Sequence, residues 1–420
     1  MDRFDTLESG VRSYCRSFPV VFDRAQGALL YDDTGRRYID FLSGAGSINY
    51  GHNNPRLKAA VVDYLQRDGI THSLDLATVA KRRFMDRFEQ TVLAPRRLRY
   101  TLQFTGPTGA NGVEAALKLA RKVKRRRNIV AFSGAYHGLS AGALAVTSNR
   151  SYRDESFVTR ADVSFLPYEG ALGAFDTSSY LRQAFDNPAS GVDLPAAVIL
   201  ECVQGEGGVN VASTAWLRAV ASACREHDVL LIVDDVQAGC GRTGDFFSFE
   251  RAGIEPDVVV LSKSISGLGL PMTVVLLKPE LDVWEPGEHS GTFRGNNLAF
   301  VAGAEALAYW DDPAFPHEIR RRGAVVARTF DRLARACPGA AARGIGLIRG
   351  LDVGDPALAV RARREAFARG LIVELCGARQ TTIKALPPLV IDDAVLEEGL
   401  GMLEAAVNAA LAVSPAAAEA

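Results

Sequence analysis

A single lysine follows an aliphatic stretch in the second half of the chain. Val258–Leu261 is a run of four aliphatic residues, and Lys263 comes shortly after it, in a segment rich in serine and glycine. Such a run is typical of a strand that is buried on both faces. An amine at the end of this strand can be partly desolvated, which lowers its pKa and lets it form a Schiff base with an aldehyde. A lysine whose charged end reaches solvent is the alternative that this segment alone leaves open.

A glycine-rich segment lies earlier in the chain, at residues 106–114. It contains Thr108, Gly109 and Ala110 and continues directly into a helical pattern. The free N–H groups at the start of a helix, a hydroxyl and the helix dipole can together bind a phosphate group. We therefore expect a phosphate site here; a purely structural turn is the alternative, because such segments are not unique.

Two carboxylates, Asp234 and Asp235, end the apolar strand pattern at residues 229–233. A charge in this position needs a partner, because burying an unpaired carboxylate costs free energy. A protonated pyridine nitrogen would be such a partner, and the pair would keep the ring electron-withdrawing. A metal ion and a helix N-cap are the alternatives, the second mainly for Asp235. No group of His and Cys residues accompanies the aspartates, so we expect no metal site.

Three further segments carry polar or aromatic side chains near predicted strand ends. Tyr136 and His137 lie in a glycine-rich segment, where an aromatic side chain can stack on a ligand ring or simply fill a gap. Glu201 and Glu206 follow another apolar strand and could orient a ligand or basic side chains, or be solvated. Residues 290–297 form a segment rich in small hydrogen-bond donors.

The order of these segments is more informative than any one of them. A phosphate site, an aromatic residue, a carboxylate and a lysine occur in that order after successive strands. In open sheets of parallel strands, ligands bind beyond the carboxyl ends of the strands. The combination is the one that a pyridoxal phosphate enzyme requires.

The elements that would position these residues alternate between strands and helices. From about residue 100 to 300, apolar strands and amphipathic helices predict an α/β fold with a mostly parallel sheet covered by helices on both faces. The predicted elements are a hairpin of 28–31 and 38–41, helices at 56–67, 75–92, 112–126, 214–227, 318–336, 356–369 and 394–412, and strands at 129–132, 197–200, 229–233, 258–261, 347–353 and 371–374. Loops are predicted at 43–47 and 51–55.

The chain of 420 residues is too long for one hydrophobic core, because cores stop growing near about 250–300 residues. We predict an N-terminal segment at 1–55 that packs with the small domain, a large cofactor-binding domain at 56–312 and a smaller α+β domain at 313–420. The alanine-rich tail from Ser414 is predicted to fray.

Composition and charge indicate a cytoplasmic globular enzyme. The formal net charge is -1, so no bulk attraction to nucleic acid or to a membrane is implied. The cluster of lysines and arginines at 118–127 is better explained as a solvated helix face than as a nucleic-acid site. The six cysteines are scattered, which is typical of reduced thiols, and the acidic start has no apolar segment of a leader peptide.

Nearly the whole chain resembles the class III (ornithine/4-aminobutyrate type) aminotransferases of fold type I. Within that family it is most similar to the diaminobutyrate group. The segments that carry the resemblance are VRSYCRSFPVVF (11–22), GPTG (106–109), DLPAAVI (193–199), KPELDVW (278–284) and GTFRGNNL (291–298).

The resemblance implies a role for each candidate residue. Lys263 would bond to the cofactor and move a proton, and Asp234 would pair with the ring nitrogen. Around the cofactor, Val236 and Tyr136 would pack on opposite ring faces, Gln237 would meet the phenolic oxygen, and Thr108, Gly109 and Ala110 would bind the phosphate with Thr292 of a neighbouring subunit. Glu201 and Glu206 would line the substrate side.

Two positions depart from the common family pattern. Many members have arginine at the position of Lys384, where it alternates between the residue that matches Glu206 and a substrate carboxylate. An ammonium cannot bind a carboxylate through two parallel bonds. Lysine at this position agrees with the diaminobutyrate group. Arg294 replaces a common glycine; it is a candidate carboxylate contact, and a surface arginine is the alternative.

The implied activity is transfer of the amino group of L-glutamate to L-aspartate 4-semialdehyde, which gives 2-oxoglutarate and L-2,4-diaminobutyrate for ectoine or a diaminobutyrate-containing product. A homodimer or larger homo-oligomer with its site at the subunit interface is expected. The alternatives are another ω-amino acid aminotransferase of the 4-aminobutyrate or ornithine type, an aminomutase or racemase, and a non-catalytic relative. Intact Lys263 and Asp234 speak against the last.

Overall fold

The computed structural model describes residues 2–154, 156–157 and 162–412. The tail from Ser414, which the sequence predicts to fray, lies outside these residues. None of the helices in the described ranges is both long and apolar enough to cross a membrane.

A seven-stranded sheet forms the centre of the molecule. In spatial order its strands are Thr101–Phe104, Val274–Leu277, Val258–Leu261, Leu230–Asp234, Ala197–Leu200, Ile129–Phe132 and Val163–Leu166. Val274–Leu277 is antiparallel to both of its neighbours, and the remaining pairs are parallel. The predicted α/β fold with a mostly parallel sheet is therefore confirmed.

Helices cover both faces of this sheet, which explains why its inner strands are apolar throughout. Val258 and Val260 pack in one buried cluster with helix Gly109–Lys124, while Val259 and Leu261 pack in a second cluster on the opposite face. The flanking helices are Pro55–Gln66, Val79–Phe88, Gly109–Lys124, Ala141–Val146, Thr177–Asp186, Thr214–Glu226 and Asn297–Leu307. Continuous burial of both faces requires an apolar residue at every position of a strand.

Two four-stranded sheets lie outside the central one. The first has the order Phe22–Gln26, Leu29–Asp32, Arg37–Asp40 and Leu371–Ile372, and the second Ala341–Ile345, Ile348–Asp352, Thr382–Ala385 and Glu374–Cys376. Helices Ala314–Ala336, Pro356–Ala368 and Asp393–Ala412 pack with them. Ile39 and Phe41 belong to the same hydrophobic cluster as residues of these helices, so the N-terminal hairpin contacts the C-terminal part of the chain. The proposed domain boundaries at 55/56 and 312/313 stay a prediction.

Short elements complete the described chain. They are helices Asp2–Leu7 and Tyr14–Ser17, an irregular turn at Ser43–Gly46, a π turn at Glu89–Leu93, 3₁₀ turns at Ala94–Arg96, Arg150–Tyr152, Glu250–Ala252, Lys263–Ser266, Pro279–Leu281 and Ala308–Asp311, and a two-stranded sheet of Val203–Gln204 and Asn210–Val211.

Two predicted helix starts in the first half of the chain differ from the structure by three or four residues, and the helix predicted from 318 begins earlier, at Ala314. The helix predicted from 75 begins at Val79, because the Thr78 hydroxyl accepts a hydrogen bond of 3.1 Å from the Lys81 N–H and thereby caps it. The helix predicted from 112 begins at Gly109, so the glycine-rich segment itself supplies the first turn. This second shift places the free N–H groups of the helix directly after Thr108.

Candidate functional site

Lys263 is the first residue of a 3₁₀ turn that directly follows the central strand Val258–Leu261. Its φ is 51°, a left-handed conformation that costs a non-glycine residue about 1–3 kcal/mol. Hydrogen bonds hold the turn from both sides: the Ser264 hydroxyl donates to the Gly46 carbonyl at 2.7 Å, and the Ser262 hydroxyl donates to the Met272 carbonyl at 2.9 Å. These hydrogen bonds therefore fix the backbone position from which the Lys263 side chain extends.

The surroundings of Lys263 favour the neutral amine. Burial lowers its pKa below the ordinary lysine value; the nearby Glu206 carboxylate opposes this shift, and the Lys384 ammonium adds to it. A lowered pKa increases the share of the neutral amine, which is the form that acts as a nucleophile or as a base.

Asp234 ends the neighbouring strand Leu230–Asp234 and is buried. Its Oδ2 lies 2.7 Å from Nδ1 of the buried His137, and its Oδ1 accepts a hydrogen bond of 3.1 Å from the Val236 N–H. The Nε2 of His137 has no partner among the described residues. Asp234 is thus a buried carboxylate held in one orientation.

The Asp235 side chain has different hydrogen-bond partners from the Asp234 side chain. Its Oδ2 accepts a hydrogen bond of 3.0 Å from the Ser248 N–H in a loop, so the alternative of a helix cap was wrong. Burial raises the pKa of Asp235 to about 7. Of the two aspartates, Asp234 is the one whose charge acts on Lys263.

Glu201 connects the aromatic segment to this site. The Tyr136 N–H donates to Glu201 Oε1 at 3.0 Å. Burial, together with the charge of Asp234, raises the pKa of Glu201 well above its ordinary value, so the neutral acid is favoured. The Tyr136 ring meets the Tyr152 ring edge-on at 5.3 Å, and burial raises the pKa of Tyr136 to about 12. Tyr136 therefore stays a neutral phenol.

A buried cluster of ionised side chains lies beside Lys263. Lys384 Nζ donates to Glu206 Oε1 at 2.5 Å and lies 3.1 Å from Glu374 Oε2. Although burial alone would lower it, the two carboxylates raise the pKa of Lys384 well above its ordinary value. Gln237 joins the cluster, because its Nε2 donates to Glu206 Oε1 at 3.0 Å. The charged form of Lys384 is thus favoured.

The glycine-rich segment meets the end of the Asp234 strand. A Cβ atom added to Gly109 would lie 3.0 Å from Val236 Cγ1, so a larger residue here would require Val236 to shift by a few tenths of an ångström. The Asn111 side-chain oxygen accepts hydrogen bonds from the Thr108 N–H at 3.1 Å and from the Thr108 hydroxyl at 2.9 Å. The start of the helix, with Thr108, Gly109 and Ala110, therefore lies next to the carboxylate site.

Two residues predicted for the site make no hydrogen bond to its other residues within the described part of one chain. Thr292 is exposed, and among the described residues no hydrogen bond joins it to the Thr108 segment. Arg294 donates from Nε to the Phe104 carbonyl at 3.0 Å, at the edge of the central sheet. One chain by itself does not bring either residue to the Lys263 site.

Glu374 and Tyr14 lie at the site but were not predicted for it. His137 was considered only as an aromatic side chain that stacks on a ligand ring or fills a gap, not as the partner of Asp234. A signal for Glu374 was present, because it is a lone acid in the otherwise apolar segment LIVELC (371–376). Partial burial, and next the charge of Glu374, raises the pKa of the half-exposed Tyr14 phenol, and the phenol also hydrogen-bonds to Glu374, which places Tyr14 near the cluster. No pattern in the sequence pointed to Tyr14.

Comparisons with known proteins agree with this geometry. The family model "Aminotransferase class-III" matches residues 12–407. A diaminobutyrate–2-oxoglutarate transaminase of Bordetella parapertussis is 54% identical over 99% of this chain and 97% of that protein, and one of Wolinella succinogenes is 54% identical over 97% of this chain and 96% of that protein. The crystal structure of the ornithine aminotransferase of Toxoplasma gondii has a TM-score of 0.84 at 26% identity, over 97% of this chain and 94% of that one.

Proposed function

This chain belongs to the class III aminotransferases, and we propose that it transfers the amino group of L-glutamate to L-aspartate 4-semialdehyde, with L-2,4-diaminobutyrate and 2-oxoglutarate as products. The observation that carries the proposal is the convergence of Lys263 and Asp234, at the carboxyl ends of neighbouring strands of the central sheet, with the Glu206–Lys384 pair, whose charges act on Lys263. The choice of substrate is supported by the transaminases that share 54% of their residues with nearly the whole chain.

The cofactor of this family is pyridoxal phosphate, and the residues of the site fit it. Two buried atoms, His137 Nε2 and Gln237 Oε1, have no hydrogen-bond partner among the described residues. The helix Gly109–Lys124 begins beside Val236, and free N–H groups at a helix N-terminus bind anions. When bound, the cofactor withdraws electrons from the amino-bearing carbon of the substrate and carries the amino group between the two substrates.

Lys263 and Asp234 would perform the proton chemistry. Lys263 Nζ would bind the aldehyde carbon of the cofactor and, once displaced by a substrate, move the proton at the substrate's amino-bearing carbon. Asp234 would hold a proton on the pyridine nitrogen, because a buried carboxylate stabilises the positive ring. His137 would orient Asp234 through the 2.7 Å contact.

The remaining predicted residues would bind and orient. Val236 and Tyr136 would pack on the two ring faces, and Gln237 would meet the phenolic oxygen. Thr108, Gly109 and Ala110 would bind the phosphate group through a hydroxyl and the N–H groups at the start of the helix. On the substrate side, Glu201 and Glu206 would line the pocket, and Lys384 and Arg294 would be available to substrate carboxylates.

A second copy of the chain would complete the phosphate site. Several large apolar side chains are exposed in the segment 70–79 and at Phe293; we call these residues, Ile70, Leu74, Leu76, Val79 and Phe293, the apolar patch. The Phe293 ring contacts His72 edge-on at 5.3 Å, so the segment around Thr292 adjoins this patch. Burial of such a patch in a homodimer would be favourable and would bring Thr292 to its partner's site.

One alternative activity keeps the same mechanism. The similarity to an ornithine aminotransferase structure favours another ω-amino acid as the amine substrate. A product assay separates the two: the purified chain receives L-glutamate with either aspartate 4-semialdehyde or the semialdehydes of glutamate and succinate. We expect fastest formation of diaminobutyrate and none with Lys263→Ala. Faster formation of ornithine or 4-aminobutyrate would replace the proposed substrate, and no product with any aldehyde would remove the proposed activity.

A further inference from the structure

Glu374 contributes a second carboxylate to a cluster that holds only one ammonium. It lies directly opposite Lys384 on adjacent antiparallel strands, and its Oε2 is 3.1 Å from Lys384 Nζ. Lys384 is 0% exposed and Glu374 is 8% exposed. Because Glu206 Oε1 already accepts a hydrogen bond of 2.5 Å from the same ammonium, the two carboxylates and the Lys384 ammonium together carry one negative charge in excess.

Hydrogen bonds compensate this excess charge only in part. The side-chain partners of the Glu374 carboxylate are the Lys384 ammonium, 3.1 Å from Oε2, and the Tyr14 phenol. Burial raises the pKa of Glu374, whereas the Lys384 ammonium opposes that shift. A buried carboxylate that lacks full compensation favours a cation as its partner.

The charge of Glu374 influences several other residues of the site. After burial, the charges of Glu206 and Glu374 raise the pKa of the Tyr152 phenol. The charge of Glu374 also acts on Lys263 and Tyr136. The carboxylate therefore lies within electrostatic range of the amine and of the Tyr136 and Tyr152 phenols.

We propose that Glu374 is a specificity-determining residue that binds the non-reacting ammonium group of a diamino acid. The inference rests on the proposed function, in which the ω-amine of the substrate reacts at Lys263. At the other end of such a substrate lie an α-carboxylate, which suits Lys384, and an α-ammonium, which suits the excess negative charge of Glu374. A monoamine of the same length offers no group to this carboxylate.

Two substrates of equal length test this assignment. L-2,4-diaminobutyrate and 4-aminobutyrate differ only in the α-ammonium group, so the ratio of their kcat/KM values isolates its recognition. We expect Glu374→Gln to lower this ratio about 10- to 100-fold, since a hydrogen bond to a charged group is lost. Glu397→Gln, at an exposed position, is the matched control and should leave the ratio unchanged.

A binding measurement separates recognition from a structural role. In a Lys263→Ala background loaded with cofactor, which does not turn over, calorimetry should show weaker binding of diaminobutyrate by Glu374→Gln and unaltered binding of 4-aminobutyrate. Equal losses for both amines, or an unchanged ratio, would overturn the proposal. If Glu374→Gln fails to load cofactor, Glu374→Asp takes its place and should lower the ratio by a smaller factor, while an unchanged ratio overturns the proposal there too. An unmodified enzyme that reacts with neither amine would instead contradict the proposed function, and this inference with it.

Discussion

His137 Nδ1 lies 2.7 Å from Asp234 Oδ2, and both side chains are buried at the end of the central sheet. The His137 N–H also donates to the Thr147 hydroxyl at 3.0 Å, which fixes the backbone that carries the imidazole. The histidine compensates the buried carboxylate from one side and leaves lone pairs of Asp234 for a ligand. We therefore assign His137 as a positioning residue for Asp234.

His137→Gln should load the cofactor and lower kcat with little change in KM. The loss of a hydrogen bond to a charged group is worth about 10- to 100-fold in rate. Steady-state kinetics and the visible spectrum measure both effects. The control is His317→Gln, because the His317 side chain is exposed to solvent. An unaltered kcat would show that Asp234 does not depend on His137.

Gly109→Ala should weaken cofactor binding. The added Cβ would lie 3.0 Å from Val236 Cγ1 and push that side chain toward the ring. Overpacking of this kind costs about 1–3 kcal/mol, which is about tenfold or more in the dissociation constant.

A fluorescence titration with pyridoxal phosphate measures the effect of Gly109→Ala. Gly401→Ala is the control, because its Cβ would meet nothing within 4 Å on an exposed helix position. Equal cofactor affinity in both variants would contradict the packing argument.

Cofactor attachment should depend on pH through Lys263. Burial lowers the pKa of this lysine, so the rate at which the cofactor-free chain binds pyridoxal phosphate should rise with pH, with a midpoint below the ordinary value of about 10.4. Glu206→Gln should move the midpoint to still lower pH, because the Glu206 carboxylate raises the pKa of Lys263. Stopped-flow absorbance over a pH series measures this, and a midpoint shifted upward would reverse the assignment of charges.

Mixed oligomers should regain activity if Thr292 serves the partner subunit. Lys263→Ala and Thr292→Glu chains are expected to be inactive or impaired when each is expressed alone. In a hybrid dimer of the two, one of the two sites has both residues intact. Random pairing makes about half of the dimers hybrids, so co-expression should give about one quarter of full activity. Lys263→Ala with Asp234→Asn is the matched control and should give no recovery, because both residues belong to one chain's site. Lack of recovery in the first mixture would place Thr292 outside the partner's phosphate site.

Local patterns predicted the framework of the site. The aliphatic run before Lys263 and the strand before Asp234 were recognisable because strands buried on both faces admit no polar residue. The start of helix Gly109–Lys124 was predicted too late, because glycine residues in a first helical turn are typical of a loop. The reason for glycine at position 109, its close contact with Val236, is visible only in the structure.

Contacts between distant segments could not be predicted in this way. His137 and Asp234 are 97 residues apart, and Glu206 and Lys384 are 178 apart. Their pairing depends on which strands are neighbours, and a single sequence does not encode that in any local pattern. The wrong alternative for Asp235 has the same origin, since its partner Ser248 lies in a loop whose position follows from the sheet order.

The central claim is that Lys263 holds pyridoxal phosphate and that the site reacts with the ω-amine of diaminobutyrate. It is tested most directly by the visible absorbance of the purified chain, followed by rapid mixing with L-2,4-diaminobutyrate, 4-aminobutyrate or L-ornithine. The account predicts a visible band that is absent from Lys263→Ala, retained in the exposed-lysine control Lys58→Ala and bleached fastest by diaminobutyrate. Fastest bleaching by another amine would change the substrate and keep the mechanism. A chain that shows no visible band even after addition of pyridoxal phosphate would contradict the account as a whole.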